Sequence, residues 1–254
     1  MNENRPLILI CNDDGYQAKG LQSLVDMVSD LGDVIVCAPD SHRSGQSRAF
    51  SMTMPLSLNL VSYEPGKQVY RCSGTPVDCV KMAYSELCPR KPDILLGGIN
   101  HGDNASVNAQ YSGTVGIVIE GAMKGIPSVA FSLCDYDADA DFSPMREIVR
   151  KYTQKVLREG LPHFSCLNIN YPLVEEYKGE RVCRMALGHW RKEVEKREHP
   201  SGMDNYYWMS GFYQNDEPES DDTDAWALAH GYAAVTPISV DLTDYVLLDK
   251  MTHK

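Results

Sequence analysis

The sequence predicts an α/β fold with a mostly parallel sheet flanked by helices. Three observations carry that prediction. Apolar runs at residues 7–11 and 34–38 each lead into a polar, glycine-containing loop, as strands do at the carboxyl edge of a parallel sheet. Between them Leu21, Leu24, Val25, Val28 and Leu31 recur at helical spacing, which makes a strand–helix–strand unit with a right-handed crossover. Later apolar runs at 93–98, 128–133 and 165–170 alternate with helical segments at 115–124 and 144–158.

In order, residues 7–11 are the first strand, 20–31 an amphipathic helix and 33–38 the second strand. Residues 49–72 read differently. Met52, Met54, Leu56, Leu58 and Leu60 alternate with polar or small residues, the period of a half-exposed strand. A turn at Glu64-Pro65-Gly66-Lys67 returns the chain through residues 69–72. Thr75 then caps a helix with Pro76 at its first position and Val77, Val80, Ala83, Tyr84 and Leu87 on its inner face. After residue 172 the alternation stops. Residues 181–187 and 205–213 read as strands separated by a charged link at 190–201, a ribbon long enough to form an arm at about 181–213. An acidic loop at 214–224, a short helix at 225–230 and a strand at 232–238 follow. The whole chain, 1–254, reads as one domain.

Composition narrows the function. The 254 residues are 43% apolar and 23% charged, as in ordinary soluble proteins, and no apolar run approaches the ~18 residues of a membrane span. The first six residues do not resemble a signal peptide. The eight cysteines form no Cys-x-x-Cys pair and several lie in apolar runs, so they read as reduced thiols of a cytoplasmic protein. A formal charge of −11 argues against duplex nucleic acid as a partner but not against a small phosphorylated substrate, because a bound cation can supply the missing positive charge.

Chemistry concentrates at the end of the first strand. Asp13 and Asp14 are adjacent, and side chains adjacent in an extended strand point to opposite faces. They address one site only where the backbone turns, which Gly15 permits. Adjacent carboxylates repel, and a hard divalent ion between them removes the repulsion. Magnesium or manganese suits oxygen donors without a His/Cys cluster, one ion per subunit. The competing reading is an exposed Asp-Gly turn. Ser44 beside Gly45 can add a hydroxyl and Asn100 an amide oxygen, while Ser112, Gly113 and Thr114 place amides and hydroxyls at a helix start, a natural phosphate cradle. Each of these alone serves equally as a turn or cap residue. Together they converge on one sheet edge.

The motifs resemble the SurE (survival protein E) family of metal-dependent 5′/3′-nucleotidases. The match rests on Asn12-Asp13-Asp14-Gly15, Ala38-Pro39-Asp40 with Arg43-Ser44-Gly45, the run from Ser73 to Val80, residues 98–102, and Tyr111-Ser112-Gly113-Thr114-Val115. Thr223-Asp224, Gly231-Tyr232 and Thr236-Pro237 resemble the family's C-terminal signature. The resemblance implies a Rossmann-like core, a swapped C-terminal arm, dimers or tetramers, and hydrolysis of nucleoside monophosphates. It places the metal ligands on Asp13, Asp14, Ser44 and Asn100, and phosphate binding on the Ser112-Gly113-Thr114 loop with the vicinity of Asn12 and of Ser44-Gly45. His101, next to Asn100, is either an acid for the leaving alkoxide or a solvent-facing loop residue.

Other chemistries lack their residues. Gly15 to Gly20 has P-loop glycines, but Leu21-Gln22 replaces the required Lys-Ser/Thr. Neither Gly-x-Gly-x-x-Gly nor Gly-x-Ser-x-Gly occurs. The alternating aspartates from Asp135 to Asp141 imitate a calcium loop but have Ala140 where glycine belongs. Two rivals stand: a phospho-acceptor domain, disfavoured because the third parallel strand ends in Gly97-Gly98 without an acceptor aspartate, and a nucleotide binder without turnover. Attack by water and attack by an aspartate both remain open, and Tyr16, Tyr111 and Tyr232 are candidate base contacts.

Overall fold

The structure is a computed structural model and describes residues 4–252 of the chain. The parallel core forms from the expected elements. Strands β1 (Leu7–Cys11) and β2 (Asp33–Pro39) flank helix α1 (Lys19–Val28). The hairpin β3 (Leu58–Glu64) and β4 (Lys67–Cys72) leads to α2 (Pro76–Met82), β5 (Ile94–His101), α3 (Gly113–Met123), β6 (Ser128–Leu133), α4 (Arg146–Glu159) and β7 (Ser165–Tyr171). Then come β8 (Glu180–Val182), β9 (Gly188–Arg191), β10 (Val194–Arg197), β11 (Tyr206–Met209), β12 (Phe212–Asn215), α5 (Asp224–Ala229), β13 (Ala233–Ser239) and α6 (Tyr245–Thr252).

Among the described residues, nine strands form one sheet in the order β3-β4-β2-β1-β5-β6-β7-β13-β8. From β4 through β7 every neighbouring pair is parallel, and β1, β2, β5 and β6 are buried nearly end to end. Such strands read as unbroken apolar runs because helices cover both faces. One face packs α1 and α4 around Phe131 and Phe142; the other packs α2 and α3 around Leu9, Ile35, Leu95 and Ile117. β13 runs antiparallel to β7, with Ala234 beside Asn170 and Ser239 beside Ser165, so it carries the chain from the loop-bearing edge to the opposite one. All eight cysteines are free.

Three expectations shift. α1 stops at Val28, where the Ser29 hydroxyl bonds the Val25 carbonyl, so Leu31 lies in the following turn rather than in the helix. The alternation from Met52 builds no strand before Leu58, and Met52 and Met54 are exposed. The backbone there is already committed. Thr75 Oγ1 donates to the Ala49 carbonyl, and Asp78 accepts from the Ser51 amide and hydroxyl, so residues 49–51 are tied to the capped start of α2. β5 continues to His101, which puts Asn100 and His101 in a strand rather than its exit loop. Its pairing with β6 shifts register between Gly97 and Asn100.

The arm is also displaced. Its two-stranded ladders pair Gly188 to Arg191 with Phe212 to Asn215, and Val194 to Arg197 with Tyr206 to Met209. Of the charged stretch after Trp190, Arg191 and Val194 to Arg197 are therefore strand, and the turn lies at residues 198–205. A solvated ribbon satisfies its backbone across the ladder and tolerates charge on both faces, so charge did not mark a link. Of the acidic loop, Gln214 and Asn215 belong to β12, while Glu217 and Asp222 clasp Arg184 at 2.6 and 2.8 Å.

Candidate active site

The end of β1 sets the site. Asn12 is fully buried, its amide donating to the Gly15 carbonyl at 3.1 Å and its Oδ1 accepting the Gly15 amide at 3.2 Å. Asn12 thus pins the turn that stops the strand, and Gly15, at φ 105°, supplies a backbone conformation that side-chain-bearing residues rarely adopt. Its amide is spent on that turn rather than presented to a ligand.

Asp13 is 3% exposed. Its Oδ1 accepts a 2.5 Å hydrogen bond from Thr114 Oγ1 at the start of α3. Burial pushes its carboxyl up to about 6; the Thr114 bond opposes this and the Asp14 charge adds to it. Gly113 makes this approach possible, because a Cβ there would lie 2.7 Å from the Asp13 Cβ. Ser112 Oγ caps α3 by accepting from the Val115 amide at 3.1 Å. The Gly113 and Thr114 amides begin the helix and have no intrahelical acceptor.

Asp14 is turned the other way. Its Oδ1 lies 3.3 Å from His42 Nδ1, and its Oδ2 is buried with no hydrogen-bond partner among the described residues. Burial raises its pKa, opposed by the nearby His42 and His101 rings and the His101 backbone amide. His101 stands edge-on against Phe142 with ring centres 4.8 Å apart. Asn100 is buried and spends both amide hydrogens on the His101 and Gly102 carbonyls, each at 2.9 Å. That orientation fixes Oδ1 as its open atom.

The loop bearing Ser44 is fastened on both sides of it. The Arg43 amide donates to the Asp13 carbonyl at 2.7 Å, and the Ser47 amide to the Tyr111 carbonyl at 3.0 Å. Ser44 and Gly45 are exposed between these ties, and the Ser44 hydroxyl makes no hydrogen bond among the described residues. Asp13, Asp14, Asn100, His101 and the α3 start therefore share the carboxyl edge of β1 and β5, with Ser44 on a strap across it. Among the described residues, no three His, Cys, Asp or Glu side chains are grouped to hold a metal ion. The donor set here has only two carboxylates and otherwise uses neutral oxygens, which suits a hard cation.

The family model for survival protein SurE matches residues 8–192. This chain belongs to the SurE family. It is 49% identical to a protein named 5′-nucleotidase SurE from Phocaeicola vulgatus, over 100% of this chain and 98% of that one. It is 47% identical to one of the same name from Bacteroides fragilis, over 99% and 98% of the two chains. The crystal structure of the SurE protein from Aquifex aeolicus matches this SurE-family fold with a TM-score of 0.82 at 35% identity, over 98% of this chain and 99% of that one. The α/β architecture with added C-terminal strands agrees with that neighbour.

Sequence reasoning missed three groups here. His42 gave no signal beyond lying in a polar loop, since its meaning comes only from Asp14. Thr114 was read for its phosphate face and turns out to clamp Asp13. Asp78, at the third position after Thr75, completes a capping box that the Thr-x-x-Asp spacing announces.

Proposed function

We propose that this protein hydrolyses nucleoside monophosphates to nucleoside and phosphate with a divalent cation, acting on 5′- and also 3′-esters in the manner of an acid phosphatase. The observation that carries the reading is the buried, unpartnered Asp14 Oδ2 just past the end of β1. A bare carboxylate oxygen in a buried site is costly unless a cation or a proton meets it. The relatives named as 5′-nucleotidases support the substrate class.

Asp13, Asp14, Asn100 and Ser44 would hold the cation, magnesium or manganese. When bound, it supplies positive charge to the phosphoryl oxygens. Thr114 holds Asp13 in place through its hydroxyl. The Gly113 and Thr114 amides receive the non-bridging oxygens, where the helix N-terminus favours negative charge. Water attacks phosphorus as the ester P–O bond breaks, and the alkoxide leaves with a proton. The deep burial of Asp13 and its bond to Thr114 support water over Asp13 as the nucleophile. His101 and His42, both facing Asp14, are the groups able to protonate the leaving oxygen.

The partner reading rests on exposed apolar surface. Tyr207, Trp208 and Met209 on the arm and Val246, Leu247 and Met251 on α6 lie open. A second copy of the chain covers the arm, giving a dimer or tetramer. Free thiols agree with a cytoplasmic home. No helix among the described residues is long and apolar enough to cross a membrane.

The test is phosphate release from a panel of 5′- and 3′-nucleoside monophosphates, first with chelator and then with magnesium or manganese restored. Release confined to the metal-restored samples is expected. Full release in chelator, or none from any nucleotide, overturns the reading.

A further inference from the structure

Just past the end of β5 the chain borders a cavity. Asn100 donates to the Gly102 carbonyl, and Gly102 packs so closely under Tyr136 that a Cβ there would lie 2.2 Å from the ring. The next residue, Asp103, begins a cavity of about 400 Å³ that Asn108, Tyr136, Leu173, Trp190 and Tyr213 help to line. That volume falls within the roughly 300–1,000 Å³ of small-molecule sites.

Its polar groups are organised. Asp103 Oδ1 accepts the Ala105 amide and the Asn108 side-chain amide, each at 3.2 Å. Oδ2 accepts the Tyr136 hydroxyl at 3.0 Å and keeps a lone-pair direction open. Trp190, on the arm strand β9, donates its indole N–H to Asn108 Oδ1 at 2.9 Å. The Tyr213 hydroxyl is buried without a hydrogen-bond partner among the described residues. Asn108 also ties the cavity to the phosphate cradle, because its carbonyl accepts the amides of Tyr111 at 3.0 Å and Ser112 at 3.2 Å. The short 3-10 turn Ser106–Gln110 is thus a wall of the cavity and an anchor of the cradle at once.

We propose that this cavity seats the nucleoside of the substrate, with a ribose hydroxyl on Asp103 and the base along the Trp190 and Tyr213 rings. The proposal rests on the nucleotidase reading and deepens it. A carboxylate oxygen with an open acceptor position suits the O–H donor of a ribose hydroxyl. Aromatic faces accept any base, since every base has a π-face. The site therefore selects for the sugar more sharply than for the base.

The experiment compares kcat/KM for AMP, 2′,3′-dideoxy-AMP and the nucleoside-free ester phenyl phosphate. The proteins are the wild type, Asp103→Asn and Ala229→Trp. Ala229 lines the cavity without a side-chain hydrogen bond, so tryptophan there fills space and removes no polar contact. The wild type is expected to favour AMP over the dideoxy nucleotide by about tenfold, since a site built to bond a hydroxyl rejects the analogue lacking it. Asp103→Asn should erase that preference. Ala229→Trp should raise KM for AMP by about tenfold and leave phenyl phosphate turnover within twofold.

AMP kinetics within twofold of wild type in both variants overturn the proposal, as does equal loss on phenyl phosphate in Ala229→Trp. Adenosine binding, followed by calorimetry, separates the two readings. Adenosine bound by the wild type and lost in Ala229→Trp, with no AMP hydrolysis by either, removes the nucleotidase reading and keeps the cavity assignment. Absence of saturable adenosine binding removes the cavity assignment while AMP turnover stands.

Discussion

The β1 edge and the arm differ in what each leaves unsatisfied. At the edge, Asp14 Oδ2 is buried without a donor among the described residues, and the Gly113 and Thr114 amides lack an intrahelical acceptor. On the arm the backbone pairs across two ladders, and it is the apolar side chains that lack cover. An open carboxylate oxygen in a buried setting calls for a cation or a hydrogen-bond donor. An open indole and thioether on a solvated ribbon call for another protein surface. The first deficit is chemical and local; the second is one of area.

The largest effect sharpens the chemical half. Asp14→Asn replaces the orphan carboxylate with a neutral amide of the same shape. Loss of transition-state charge stabilisation of several kcal/mol amounts to about a thousandfold in kcat/KM. The circular dichroism spectrum and oligomeric state should not change. A folded Asp14→Asn protein with near-normal turnover in added magnesium or manganese would break the metal assignment.

Next comes pH. The Asp13 carboxyl is raised to about 6 when folded and titrates near its ordinary 3.8 when unfolded. The unfolded chain releases this proton first, so the metal-free fold is most stable, on this account, below the unfolded value. It loses stability as pH rises through about 6. Cation binding has the opposite slope, because below about 6 a proton competes for Asp13. Manganese affinity by calorimetry should fall about tenfold from pH 7 to pH 5. Asp13→Asn should flatten the stability slope; a slope that persists would place its origin elsewhere.

The smallest effect on turnover tests the arm. Trp208→Glu with Met209→Glu should weaken self-association by about tenfold or more, read by sedimentation, since buried aromatics dominate interfaces. Activity per subunit should stay within twofold and the melting temperature within a few degrees. A wild-type chain that sediments as a monomer at micromolar concentration would remove the distinction between the two regions.

Legibility in the sequence followed burial. Strands covered on both faces wrote themselves as continuous apolar runs, so β1, β2, β6 and β7 lie where the runs do. The carboxylate pair was visible because it directly follows such a run. The arm was misplaced because a solvated ribbon has no apolar period to read, and the stretch from Val194 to Arg197 looked like a link. Met52 and Met54 misled in the opposite direction, offering a strand period to a backbone that Thr75 and Asp78 had already engaged. His42 and Asp103 were silent for a third reason. Their surroundings come from segments far away in sequence, and a lone polar residue in a loop carries no trace of what the fold brings beside it.

The reversed direction of β13 has a practical consequence. It delivers Val240, whose amide donates to the Phe164 carbonyl, to the edge of the sheet away from the carboxylates. A support or fusion partner joined to a loop at that edge would hold the protein by its back, leaving the carboxylate-bearing loops open to solution, whereas attachment near the tip of the arm would tether it from the side that carries Trp190.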